Sequence, residues 1–325
     1  MKRVFILLCY LALFACSRHS VTDRERLEKA ANEGDAYSQS ALGNMYFAGK
    51  GVPENEAKAF EWYHKAAVQG NAHAQSNLGL MYSRGKAVAK DEAKAFEWYQ
   101  KGAAQGDAFA QCNLGAQYFN GHGVAKDYSQ AALWHEKAAA QGLANSQSYL
   151  GDMYAEGKGV PKNEAQAAKW YEKAALQGYA DAQSHLGAMY STGRGVPRDE
   201  AKAVALYQEA VAQGNALAQV RLGFAYSEGV GVPRDYGTAF ELYQKAAAQG
   251  NAIGQFNLGV MYDNGTGIPK DDVLAYAWIN LAAANNMPDA IQLRDAMEPR
   301  LTLEKKAEAQ KLSAELFERI KNRQQ

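Results

Sequence analysis

Apolar and polar positions recur along the chain with a period of 36 residues. Leu-Gly stands at 42–43, 78–79, 114–115, 150–151, 186–187, 222–223 and 258–259, and a Tyr follows at 46, 82, 118, 154, 190, 226 and 262. Aromatic pairs come next, as Trp62-Tyr63, Trp98-Tyr99 and Trp170-Tyr171, weakening to Trp134-His135, Leu206-Tyr207 and Leu242-Tyr243. Gln-Gly closes six units, with glycine at 70, 106, 142, 178, 214 and 250. Seven units fit residues 35 to 286 without insertion. Such a register identifies a tandem array, so length is not converted into a count of globular domains.

Each unit predicts two helices. Leu78, Gly79 and Tyr82, at i, i+1 and i+4, share one helical face. Ala59 and Ala66 with their equivalents keep a face of the second helix small, Gly102 being the one exception in the Ala66 series. Asn or Asp occupies 55, 91, 127, 163, 199, 235 and 271, ahead of every second helix, and Asn71, Asp107, Asn215 and Asn251 precede first helices. Their short side-chain oxygens suit an N-cap, where they accept an otherwise orphaned backbone N–H. Gly49 and its six equivalents sit just past the first helix, where a left-handed residue ends it. Val52 and Pro53, the proline present in five of the seven units, lead into the next cap. A helix pair cannot bury its apolar face alone, so the units must stack. Residues 27–35, "LEKAANEGD", match the end of a second helix and should cap the front. A helix over about 302–321, with Leu312, Leu316 and Ile320 at i, i+4 and i+8, should close the rear.

These residues resemble the Sel1-like repeat, a relative of the tetratricopeptide repeat. The pattern A-x-x-x-LG-x-MY-x-x-G-x-GV-P-x-[DN]-x-x-x-A-x-x-WY-x-KAA-x-QG is complete over residues 146–178, with Ser146 in place of the first Ala. The resemblance implies an all-α fold, a right-handed α-solenoid of seven 36-residue helix-turn-helix units over 25–286 with terminal capping helices at 287–325. It also implies an adaptor for protein or peptide partners. In the second unit, Ala87 and Ala89 replace the second Gly and the Pro of the loop. Some members with paired cysteines in each repeat resemble penicillin-binding or β-lactamase-like proteins; those pairs are missing here.

The first residues follow another pattern. A short positive stretch, Met1-Lys2-Arg3, precedes the apolar run 4–14. Eleven helical residues reach roughly 16 Å, about half of a bilayer core. That length suits a signal peptide rather than a span. "LFAC" at 13–16 resembles a lipobox, which implies a signal peptide over 1–15, lipidation of Cys16, a short linker over 16–24, and an outer-membrane lipoprotein facing the periplasm. A secreted or soluble periplasmic protein is the alternative. Cys112 is then the one remaining thiol, apart from Cys9 in the signal and Cys16, and no intramolecular disulfide is available.

Charge and chemistry narrow the function. Lys+Arg and Asp+Glu both number 35, which argues against nucleic acid, a partner that needs a concentrated basic face. Gly49-Lys50-Gly51 does not fit a phosphate loop, because it follows a helix and Gly51 stands where Ser or Thr is required. Ser83-Arg-Gly-Lys86 matches S-x-x-K only by its letters, at the end of a helix and without K-T-G. The six histidines show no paired ligand spacing. No catalytic residue, metal site or cofactor is expected. A β-lactam or cell-wall hydrolase and a structural part of an outer-membrane or secretion assembly remain the alternatives to a binding scaffold.

If the Leu-Gly-Tyr triplets match their tetratricopeptide counterparts, the first helices line the concave face, exposing the positions of residues 37, 40, 44 and 47. In the sixth and seventh units this stripe is apolar: Leu217, Val220 and Phe224, then Ile253, Phe256 and Val260. The third unit adds Phe109 and Phe119. These eight residues are the expected partner-binding surface. The repeated Gln at 39, 75, 111, 147, 183, 219 and 255 is assigned to contacts between repeats, since every unit has it.

Overall fold

A computed structural model describes residues 24–324. The signal-like segment 1–15, Cys16 and nearly all of the linker lie outside them. Helix α1, over residues 24–32, leads into seven hairpins. They are α2 (Ala36–Ala48) with α3 (Glu56–Val68), α4 (Ala72–Arg84) with α5 (Glu92–Ala104), α6 (Ala108–Asn120) with α7 (Tyr128–Ala140), and α8 (Ala144–Glu156) with α9 (Glu164–Leu176). Next are α10 (Ala180–Thr192) with α11 (Glu200–Ala212), α12 (Ala216–Glu228) with α13 (Tyr236–Ala248), and α14 (Ala252–Asn264) with α15 (Asp272–Ala284). Then come α16 (Pro288–Met297), a short 3-10 turn at Glu298–Arg300, and α17 (Leu303–Gln324). The fold is an all-α solenoid of seven 36-residue repeats, and the described residues hold no strand. They gather into two compact units along the chain, one ending at Lys162 and the other starting at Asn163.

The expected caps set the helix ends. Asn55, Asp91, Asp127, Asn163, Asp199, Asp235 and Asp271 all accept from backbone N–H groups of the second helices. Asp35, Asn71, Asp107, Asn215 and Asn251 do so for first helices, while Leu143 and Tyr179 make no side-chain cap. First helices end on left-handed glycines such as Gly85, at φ 68°. The loop is then tied down: the backbone N–H of Asp91 donates to the Tyr82 carbonyl at 2.9 Å, and those of Asn55, Asp127, Asp199, Asp235 and Asp271 donate likewise to Tyr46, Tyr118, Tyr190, Tyr226 and Tyr262.

The Leu-Gly motif has a packing cause. Leu42, Leu78, Leu114 and Leu150 are fully buried in the first unit. The glycine lets the ring of the second helix lie against the backbone: a Cβ on Gly79 would stand 2.7 Å from Tyr99 Cδ1, too close to coexist. His135 takes the ring position in the third repeat and fills the space over Gly115.

Repeats are joined by glutamines. Gln75 donates to the Ala67 carbonyl at 3.0 Å and accepts from Gln105 at 2.8 Å. Gln39 bonds likewise to Ala31 and Gln69, and Gln111 to Ala103 and Gln141. Since each buried amide finds both partners, the ladder satisfies groups that would be costly to bury alone. The loop cation that made "GKG" look like a phosphate site also joins repeats: Lys86 pairs with Glu56, and Arg194 with Glu164 at 2.8 Å. On the second helices Lys65, Lys101, Lys137 and Lys173 stand over Trp62, Trp98, Trp134 and Trp170 at 4.0–4.3 Å. The W-Y-x-K pattern is therefore an intrahelical cation–π contact at i, i+3.

At the rear of the second unit, α16 and α17 both pack on α15. Ala309, Ser313 and Ile320 are the buried face of α17, with Leu316 packed beside Trp278 and Leu281. The helix expected over 302–321 is present with slightly wider bounds.

Candidate interaction face

The first helices are buried through Gln39, Leu42 and Gly43 and their equivalents. At 3.6 residues per turn the opposite side carries 37, 41, 44 and 48. The position of Ser40 lies roughly 60° from that line and turns toward the next repeat: Ser40, Ser76, Cys112, Ser148, Ser184 and Val220 are all buried. The position of Phe47 is half-buried in every repeat. The stripe read from the sequence thus joins the solvent-facing positions of 37 and 44 to one that is buried in six repeats and one that is half-buried throughout.

The eight expected residues therefore divide. Phe109 and Phe224 are each 56% exposed and Ile253 is 44% exposed. Leu217 is half-buried. Val220, at 6%, turns into the core beside α13 and α14. Phe119 lies against the Tyr128 ring at 5.0 Å with Lys158 over it. Phe256 and Val260 pack on the α15–α16 cluster with Ala283 and Ala290. Their covering has a simple cause: α16 occupies the place an eighth first helix would take, and Phe256 sits at the edge position that faces the following repeat. Cys16 lies outside the described residues.

In the second unit, α10, α11, α12 and α14 enclose an open groove of about 420 Å³. Phe224 and Ile253 stand in its walls with Val204 and Val220, and Arg221 and Asn257 supply polar groups. The first unit has a smaller counterpart of about 250 Å³ between α4 and α6, lined by His73, Asn77, Leu80, Phe109 and Asn113 among others. Residues 77, 113, 221 and 257 all occupy the position of Ala41, absent from the sequence-based stripe. The signal for it was variability: Ala41, Tyr149, His185 and Arg221 depart from the Asn shared by 77, 113 and 257, whereas positions 39, 42 and 43 repeat.

Groups that invited a chemical reading are structural. His135 is 1% exposed, and burial pulls its pKa down to about 4, so it is neutral near pH 7. Cys112 is buried, and burial raises its thiol pKa, the reverse of an activated cysteine. Ser83 lies at the end of α4, and the Lys86 of its S-x-x-K is engaged by Glu56. Among the described residues no three His, Cys, Asp or Glu side chains group as metal ligands, and no helix is long and apolar enough to cross a membrane.

The comparisons agree with this geometry. The Sel1 repeat family model matches residues 36–71, 72–107, 108–143, 144–179, 180–215, 216–251 and 252–287. The chain belongs to the Sel1-repeat family. This Sel1-repeat protein is similar to a solved protective antigen of uropathogenic Escherichia coli strains with an SLR fold, at 38% identity and a TM-score of 0.69. The match covers 91% of this chain and 63% of the antigen, so the chain spans less than two thirds of that protein's length. It is also similar to a Sel1 repeat protein from Oxalobacter formigenes, at 36% identity and a TM-score of 0.65, covering 86% of this chain and 81% of that one. Comparison with curated proteins finds no match. The Sel1-repeat fold is a scaffold that commonly mediates protein interactions, and no catalytic family is indicated.

Proposed function

We propose that this Sel1-repeat protein is a non-catalytic scaffold of the bacterial cell envelope that binds a protein or peptide through the solvent-facing side of its first helices. The observation that carries this reading is the groove in the second unit. Phe224 and Ile253 stay exposed there although the fold offers apolar cover to their neighbours Val220, Phe256 and Val260. Exposed aromatic and aliphatic side chains around a concavity are the usual anchors of a peptide or helix partner. The C-terminal helix α17 packs on α15 and leaves the groove open. Phe109 marks a second, smaller contact in the first unit.

The membrane part of the proposal rests on residues 1–16: lipid on Cys16 tethers the chain to the outer membrane, with the repeats in the periplasm. Two acyl signals or more are required for firm anchoring, which a triacylated cysteine supplies. Two measurements test the reading. Envelopes are crosslinked and the protein is purified; a stoichiometric partner recovered with the native chain should be lost from Phe224→Asp and Ile253→Asp, with far-UV CD unchanged. Retention of the same partner by both folded variants rejects this face. Separately, Cys16→Ser should move the protein from the membrane to the soluble fraction; unchanged membrane recovery rejects the tether.

A further inference from the structure

Arg221 is a cation on a largely apolar groove and makes no ion pair. It stands on α12, the middle one of the three first helices that line the groove. One guanidinium nitrogen, Nη1, donates to the Ser184 carbonyl and to Ser184 Oγ, which fixes the side chain against the preceding repeat. No bond engages Nε or Nη2. The acidic side chain that lines the groove, Glu200, is paired with Arg198. Burial lowers the Arg221 pKa from the usual arginine value. A half-buried guanidinium with no counter-charge, whose free N–H groups still open to the groove, is stabilised by an anion that reaches it. Nε and Nη2 together present the parallel pair of N–H groups that a carboxylate accepts from both oxygens.

The groove also says where in a partner that carboxylate lies. Its walls continue on both sides of Arg221, through Ala188 and Ser191 of α10 and through Ile253 and Asn257 of α14. A chain that stopped at Arg221 would leave half of this surface unused. Phe224, one turn from Arg221 on α12, and Ile253 opposite set apolar contacts beside the charge.

We infer that the groove of the second unit is a seat for an internal Asp or Glu side chain of a partner protein, flanked in that partner by aliphatic or aromatic residues. This deepens the scaffold proposal and rests on it. Arg221 is the selecting residue: the same position carries Asn in the second, third and seventh repeats, so the acid preference belongs to this groove and not to its counterpart in the first unit.

The probe is an array of amidated and acetylated nonapeptides that place Glu or Gln between two variable apolar positions, read with the full mature chain. Bound sequences should be enriched in Glu over Gln. For the best binder, Glu→Gln should weaken binding about tenfold, the size of one charge-assisted bidentate contact. The same peptide change should have almost no effect on Arg221→Gln. That protein is checked by thermal melting, since it also loses the bond to Ser184; the Glu/Gln comparison on the unaltered chain needs no variant. Equal binding of Glu and Gln peptides, with loss on Phe224→Ala, overturns the carboxylate seat while leaving the scaffold reading intact. A parallel set of the same peptides left with a free C-terminus tests the placement: binding only to that set overturns the internal seat. No peptide binding, together with a partner indifferent to Phe224→Asp, rejects both.

Discussion

Ala87 holds a φ of 60°, in the left-handed region that the equivalent Gly51, Gly123, Gly159, Gly195, Gly231 and Gly267 occupy at 67–75°. An L side chain pays about 1–2 kcal/mol to stay there. Ala87→Gly should therefore stabilise the protein by about 1 kcal/mol, visible as a rise in the denaturant midpoint; an unchanged or lower midpoint would show that the loop has absorbed the strain. His135 makes a second prediction. Its folded pKa of about 4 lies below the ordinary histidine value of 6.5, so between those values the unfolded chain binds the proton and the folded chain does not. Stability present above pH 6.5 is then lost as pH falls toward 4, on the order of 3 kcal/mol at the limit. His135→Tyr restores the residue used by other repeats and should flatten this loss. The check is chemical unfolding of both proteins at pH 7 and pH 4.5: an equal acid loss in the two would exclude His135 as its source. Both residues were legible as departures from a repeat. The sequence could not show whether each departure is strained or relieved, because that depends on a backbone angle in one case and on burial in the other.

At the scale of helices, each repeat carries its own instructions. The caps, the stop glycines and the Leu-Gly-Tyr face are local, so the hairpins fall where the pattern puts them. The glutamine ladder acts between elements. Gln75 is 5% exposed and bridges α3, α4 and α5 through its bonds to Ala67 and Gln105. Gln75→Leu leaves the Gln105 amide without this partner and should cost about 1–3 kcal/mol, with hydrogen exchange rising first in α4. If exchange there is unaltered, the ladder is ornamental. A buried leucine is the other element-scale anchor: Leu150→Ala should cost about 2–5 kcal/mol and loosen α8 and its neighbour α7 before α1 or α2. Uniform loosening over the first unit would contradict stacking as nearest-neighbour contacts. The interaction stripe was only half legible at this scale. Helical spacing gives the line of 37 and 44, but the step from 40 to 41 rotates a side chain from an inter-repeat seam to solvent.

For the whole molecule, the ends decide what the repeats cannot. In the second unit, α16 stands in for an eighth first helix, and α17 covers Trp278 and Leu281 on α15. Removing residues 303–325 should expose that face, raise exchange in α15 and then α13, and promote self-association detectable by sedimentation. A truncated chain that stays monomeric with α15 protected would mean that α17 is dispensable as a cap. The period of 36 residues, read in the sequence alone, settled the all-α repeat fold, the hairpin bounds and the place of Gly49-Lys50-Gly51 just past a helix end. Those features depend on residues within one repeat or on the same contact made many times, and periodicity reports both. Which apolar side chains remain outside was decided only in the folded chain. Val220 and Phe224 look alike in the sequence, as do Phe256 and Ile253, yet one of each pair is covered and the other is not. Exposure belongs to what the neighbouring helix does, and at Phe256 that neighbour, α16, lies outside the repeat pattern altogether.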